Sequence, residues 1–444
     1  MIRWLICTAT RQSADAVSSI ATTAVFALLD ILDALLCYIY ALLDALLEGK
    51  AGSTVSCYCY GKRERTEKSC RTSETIHDRG NQWRKLLMGA EEFLGLNNRS
   101  TGKEGGKEAS VKQGGGSKAK GGRWSDCNCE SCVSWEREDG RKLHVVAEKS
   151  TLHPLEKAEA VIFLHGFQSS SSLWTETVFP NLSESAKANY LFFAVDLLGF
   201  GDSPKPRDSL YRLEDHVEMI ERSVIQQFNL DSFHLVAHSM GCIIALALAS
   251  KYPSSTKSIT LVAPPYFSAS SGEKASRIMM NRLAGKRLWP FLSFGSSVMT
   301  WYEHVGRTIC FIVCRNHRTW ERVFKFLTRK REVPFLIRDL TRHTHHSAWH
   351  TMHNVICKGA EYLDSYLQDI RTAEIPILVV HGSKDQIVPL ECSFHIKSAI
   401  PFADVRTIPG ANHGTVIVGR EIHFTREIEA TWDASRVRKQ DLRT

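Results

Sequence analysis

Three common signatures are missing from this chain of 444 residues: a P-loop, a dinucleotide-binding glycine fingerprint and an H-E-x-x-H pair. Their absence removes the usual sequence grounds for a nucleotide-phosphate site, a Rossmann cofactor site and zincin chemistry. No motif for reading DNA or RNA is present either. The net charge is +8, from 56 Lys and Arg against 48 Asp and Glu. Much of the excess lies in the low-complexity stretch before residue 125 and between Arg277 and Arg342. That distribution reads as a solvated basic surface, not a nucleic-acid footprint, although such a surface would favour anionic lipid headgroups beside a membrane. The 13 cysteines are too sparse for a disulfide scaffold. They cluster at Cys57 and Cys59, and at Cys127, Cys129 and Cys132 in "CNCESC". The second cluster has zinc-like spacing, but no second half of Cys or His follows nearby. Disulfides or free thiols are therefore expected, with no metal and no organic cofactor.

What is present begins with a long apolar run, "SSIATTAVFALLDILDALLCYIYALLDALLEG", following Arg3 and Arg11. It is long enough to cross a bilayer. Asp30, Asp33 and Asp44 interrupt it, and at helical pitch they share one sector roughly 60° wide. Charges at bilayer depth are costly. Four readings stay open: a signal anchor, a cleaved signal peptide, an interfacial helix, or a helix packed on the catalytic domain. Secretory targeting with retention at the membrane is the preferred one, with residues 20–48 as the membrane contact. Cys37, Cys57 and Cys59 are candidate acylation sites. Residues 51–130 read as a Cys-containing, Gly/Lys-rich linker. Sequons stand at Asn98 and Asn181.

Further along, short apolar strands alternate with helical stretches: "KLHVVAE", "AVIFLHGF", "YLFFAVDLLGFG", "FHLVAHSMG", "SITLVAPP", "PILVVHGSKD" and "DVRTIPGANH". Continuous apolar strands separated by helices predict a mostly parallel sheet covered on both faces, an α/β architecture. The predicted organisation is an apolar segment over 1–50, the linker, a first core part over 131–265, a helical cap over 266–373, a second core part over 374–434 and a basic tail over 435–444. The cap insertion is basic and aromatic, and would sit over the strand ends.

The chemistry-bearing residues follow strands. "AHSMG" is a variant of the G-x-S-x-G nucleophile elbow, with Ala237 replacing the first glycine and Gly241 keeping the last. Ser239 is the candidate nucleophile. A serine hydroxyl needs a base, and the base an orienting acid. "HGSKDQIVP" supplies Asp385 and "GANHG" supplies His413, in the order Ser, acid, His. "FLHGF" supplies an oxyanion loop, where Gly166 permits close backbone approach and His165 braces the turn. The backbone N–H groups of Phe167 and Met240 are the candidate oxyanion donors. His238 and His381 read as structural, and Asp202 as a loop cap. His346, His350 and His353 share a helical face, but lack an acidic fourth ligand and read as pocket-lining or core.

The stretch from about Ser131 to Trp432 resembles the capped α/β-hydrolase superfamily. More closely, "HGFQSSSSLWTETVFPNL", "DLLGFGDSPKP", "LVAHSMGCIIALALA", "GANHGTVIVGR", "CYCYGKR" and "CNCESCVSW" look like the plant BODYGUARD group of lysophospholipase-like proteins. The resemblance implies Ser239, Asp385 and His413 as charge-relay residues, a fatty-acyl ester as substrate, and a secreted or cell-wall setting with a part in cutin and cuticle formation. An acyltransferase would use the same residues, and a binding or signalling protein could occupy the same scaffold. Nothing in the sequence sets the oligomeric state.

Overall fold

The computed structural model describes residues 2–48, 73–77, 123–136, 142–148, 159–268 and 273–441. Cys57, Cys59, the Asn98 sequon and most of the Gly/Lys run lie outside the described residues.

The apolar runs form one seven-stranded sheet in the order β1-β3-β2-β4-β5-β6-β7. Its strands are β1 (Val145–Glu148), β2 (Glu159–Leu164), β3 (Tyr190–Val195), β4 (Phe233–His238), β5 (Thr256–Val262), β6 (Ile377–Gly382) and β7 (Asp404–Ile408). Among the described strands of this sheet, only the β1–β3 pairing is antiparallel. β3, β4 and β6 are buried at every residue, as strands sandwiched between helical layers must be. The two faces carry separate cores. Ile162, Leu235, Leu261 and Val379 face one side with the helix Met240–Lys251. Val161, Phe163, Val236 and Val380 face the other, against Phe424 and Trp432 of the last helix.

Between β5 and β6 the chain runs through the helices Ala275–Ala284, Phe291–Trp301, Glu303–Ile312, His317–Thr328 and His345–Thr351. This insertion is tied down beside the strand ends. Ser170 Oγ donates to Asp339 Oδ2 at 2.6 Å, and Arg338 donates to Ser172 Oγ at 2.9 Å. Arg342 pairs with Asp202 at 3.1 Å. The helix Leu363–Thr372, at the end of the insertion, instead buries Leu363, Leu367 and Ile370 in the core that holds the helix Met240–Lys251.

The first helix, Ile2–Leu47, is docked on the cap through its acidic sector. Asp33 Oδ1 accepts the backbone N–H groups of His304 and Val305 at 2.7 and 3.1 Å. It thereby caps the helix Glu303–Ile312, whose first N–H groups have no partner within the helix. Asp44 takes both arms of Arg307 at 2.7 and 2.6 Å, and accepts Trp124 Nε1–H at 2.6 Å. Burial opposes the charge on Asp44, but the Arg307 guanidinium holds its carboxyl below the usual range. Asp30 lies 3.9 Å from Lys286 Nζ. The charges that sit badly in a bilayer thus have protein partners. Leu28, Leu32, Leu35, Ile39, Leu42 and Leu46 remain exposed on the helix.

Two pieces of the stretch read as linker also pack on the body. Ser73 N–H donates to Asn354 Oδ1 at 3.0 Å. Trp124 lies against Tyr40 and Phe311. At the second sequon, Asn181 Nδ2 donates to the Thr177 carbonyl at 2.7 Å and Ser183 caps the following helix.

Candidate active site

Ser239 occupies the tight turn between β4 and the helix Met240–Lys251, with φ 52° and ψ −119°. A non-glycine residue in this region is strained and needs support from its surroundings. Here Ser239 N–H donates to the Val262 carbonyl at 2.8 Å, and Cys242 N–H donates to the Ser239 carbonyl at 2.9 Å. Close packing explains the glycine two residues on. A Cβ at Gly241 would come within 2.6 Å of the His165 carbonyl oxygen and 2.7 Å of that of Leu164. Ala237, where the elbow pattern has glycine, is fully buried within β4, and its side chain is accommodated there.

The loop after β2 passes directly over this turn. A Cβ at Gly166 would lie 2.9 Å from His238 Nδ1 and 3.2 Å from Ser239 Cβ. His165 is buried and its tautomer follows from its partners. Leu197 N–H donates to Nε2 at 2.9 Å, so the proton is on Nδ1, which donates to the Gly166 carbonyl at 2.7 Å. Burial lowers the pKa of this imidazole and keeps it neutral. The Phe167 amide follows Gly166 in this loop, and the Met240 amide follows Ser239 at the start of its helix.

Asp385 follows β6 and His413 follows β7. Their side chains meet at 2.7 Å, His413 Nδ1 to Asp385 Oδ2. The other carboxylate oxygen accepts the N–H groups of Ile387 and Val388 at 2.8 and 2.9 Å. Burial alone would raise the Asp385 pKa. Hydrogen bonds from His381 and His413 overcome that and hold the carboxyl well below the ordinary range. His381 Nε2 carries the ring proton, facing the Val388 carbonyl at 2.9 Å and Asp385 Oδ2 at 3.3 Å, so Nδ1 accepts from Ser393 Oγ at 2.6 Å, a brace behind the acid. His238 donates from Nε2 to the His413 carbonyl at 3.0 Å, and the two rings lie 4.7 Å apart. Burial, with the His413 imidazole beside it, pushes His238 down to about 3. So the serine turn and the glycine loop meet at the carboxyl ends of β4 and β2, and His238, next to Ser239, links them to the Asp–His pair after β6 and β7, at the strand ends where open α/β sheets form their sites.

Other candidates fall elsewhere. The backbone N–H of Asp202 donates to buried Asp196 Oδ2 at 2.7 Å, while its own carboxylate reaches the cap through Arg342. The loop cap is therefore Asp196, which also accepts Ser171 N–H at 2.6 Å. Gly201, at φ 55°, is the sequence signal for it, since a Cβ there would strike the Asp196 carboxylate. His346, His350 and His353 are all buried, each with separate partners: the Ser209 carbonyl, Asn354 and Thr75. Burial pushes His346 and His350 down to about 3.

Comparison with known proteins agrees with this architecture. Residues 159–419 match the family described as alpha/beta hydrolase fold, and the chain belongs to that family. Within it, the chain is 46% identical over 430 residues to the probable lysophospholipase BODYGUARD 4 of Arabidopsis thaliana, covering 95% of this chain and 98% of that one. It is 45% identical to BODYGUARD 5 of the same plant, over 93% and 94% of the two chains. It is therefore a member of the BODYGUARD group and a lysophospholipase-like α/β hydrolase. Among solved structures, an esterase from Exiguobacterium antarcticum is 20% identical with a TM-score of 0.45, over 66% of this chain and 95% of that one.

Proposed function

We propose that the chain is a serine esterase acting on fatty-acyl esters, with Ser239, His413 and Asp385 as its triad. The observation that carries this is the 2.7 Å Asp385–His413 pair beside a serine held at φ 52° on a nucleophile-type turn. Ser239 Oγ attacks the acyl carbonyl while His413 Nε2 takes its proton. Asp385 holds the imidazole through Nδ1 and stabilises its charged form. The Phe167 and Met240 N–H groups receive the oxyanion, and one such donor is typically worth about 3–4 kcal/mol. His413 returns the proton to the leaving alcohol. Water, activated by the same imidazole, then releases the fatty acid and frees the serine.

A lysophospholipid is the substrate suggested by the names of the relatives, and the basic cap suits a phosphate-bearing head. The wider setting follows from the resemblance: secretion to the cell wall, or retention at the cell membrane, with a role in cutin and cuticle formation. Retention at the membrane surface is supported by the first helix, whose acidic sector faces the cap while a leucine-rich face stays exposed. The test is active-site labelling of the full chain in detergent with a fluorophosphonate. Labelling of the wild type that disappears in Ser239→Ala supports the triad. A folded wild type that does not label contradicts it, and moves weight to a binding role on the same scaffold.

A further inference from the structure

The cysteines of "CNCESC" do find a second half, 185 or more residues away in the chain. Their three sulfurs and His317 Nε2 all lie within 4.8 Å of one another. We propose that Cys127, Cys129, Cys132 and His317 form a structural Zn²⁺ site of the Cys₃His type. It joins the segment before the hydrolase core to the cap.

The geometry suits that ion. With Zn–S near 2.3 Å and Zn–N near 2.0–2.1 Å, tetrahedral ligand atoms stand roughly 3.5–3.8 Å apart. His317 Nε2 is 3.3 Å from Cys129 Sγ and 3.4 Å from Cys132 Sγ, so closing around an ion asks for a few tenths of an ångström of expansion. The backbone sets up the cluster locally. Cys129 precedes the short helix Glu130–Val133, and Cys132 N–H folds back to the Cys129 carbonyl at 2.9 Å. His317 opens the cap helix His317–Thr328 and is only 4% exposed.

A second observation is independent of the sulfurs. His317 Nδ1 lies 2.8 Å from Glu321 Oε1, one helical turn on. Glu321 accepts the Nδ1 proton, which leaves the Nε2 lone pair facing the cysteines. This carboxylate–histidine arrangement is the usual support behind a metal-bound imidazole. Ser131 Oγ lies 3.3 Å from Cys129 Sγ and can donate to a thiolate there. A disulfide would use two sulfurs and leave the third, the imidazole and Glu321 without a role. On binding, three thiols give up their protons and the neutral imidazole gives up none. Zn²⁺ and three thiolates then carry a net charge of −1.

The position gives the site its role. The residues just before it place Trp124 against Asp44 and Tyr40 of the first helix. An ion here therefore pins the cap and, through Trp124, the docking of the amino-terminal helix. Metal binding of this kind is folding free energy.

The test is the metal content of the full chain, purified under reducing conditions in detergent, for wild type, His317→Ala, His317→Cys and Glu321→Gln. The difference between wild type and His317→Ala is the quantity read, which cancels any metal at the separate Cys310, Cys314 and His343 trio. One zinc per chain is expected to vanish in His317→Ala and persist in His317→Cys. Glu321→Gln should bind zinc roughly 10–100-fold more weakly. Refilling with Co²⁺ should give the ligand-field bands of a tetrahedral site and a thiolate charge-transfer band. His317→Cys keeps a full ligand set, so its zinc content reads the site even where His317→Ala fails to fold. Equal zinc in wild type and a folded His317→Ala would overturn the proposal. So would a disulfide joining two of the three cysteines in the unreduced chain.

Discussion

At the residue scale, reactivity depends on how Ser239 is held and what stands beside it. The strained turn is affordable because backbone hydrogen bonds to Val262 and Cys242 fix it, and because Gly241 lets the helix approach the β2 strand end. Gly241→Ala pushes a Cβ to 2.6 Å from a carbonyl oxygen, closer than real contacts allow. It should cost roughly 1–3 kcal/mol of stability and remove most activity, read by thermal melting and ester turnover. Asp385→Asn keeps the shape of the acid but loses the charge that orients His413. It should lower kcat on the order of 10²–10⁴-fold, with KM little changed. These candidates were legible in the sequence because each is a short signal after an apolar strand. Asp196 was not, since its role appears only when the loops of Ser171 and Asp202 fold back on it.

At the scale of elements, the first helix explains its own odd composition. Three acids in one sector of an apolar run look like a defect in a membrane segment, and become a docking face once the cap is present. Arg307 also stacks over Tyr40 and Trp124, with its guanidinium carbon 4.4 and 5.4 Å from their ring centres. Asp44→Ala leaves that nearly buried guanidinium without its carboxylate and should destabilise the chain by roughly 3 kcal/mol, seen in denaturant melts. The neighbouring His304 gives the interface a pH dependence. Burial opposes its charge, but the Asp33 carboxylate, 3.7 Å away, and Cys37 bring its pKa up to about 9, with Glu303 adding in the same direction. A pKa raised on folding contributes stability that is full below the free value near 6.5 and is lost as pH rises through about 9. Melting temperature should therefore fall between pH 6.5 and 9.5 more steeply in the wild type than in Asp33→Asn. The difference should correspond to roughly 1–3 kcal/mol; parallel curves would contradict it. The strand pattern announced the sheet because burial on both faces is written locally. The helix–cap contacts were hidden because they join residues more than 250 positions apart.

At the scale of the whole molecule, the hydrolase core carries two additions from distant parts of the chain. The cap sits beside the strand ends, and the amino-terminal pieces are clamped onto the cap by Asp33, Asp44, Trp124 and the cysteine–histidine cluster. That arrangement couples the apolar amino-terminal helix to the insertion beside the strand ends. Periodicity and spacing in the sequence carried the core fold, but not this clamp, whose parts lie far apart in the chain. The chemistry at Ser239 is tested by hydrolysis of an acyl-ester panel by the full chain in detergent, beside Ser239→Ala. The panel spans lysophospholipids, monoacylglycerols and ω-hydroxy acyl esters. The account predicts release of free fatty acid, fastest from lysophospholipids, falling on the order of 10⁴-fold or more in Ser239→Ala. Equal, negligible rates from both folded proteins across the panel would contradict it.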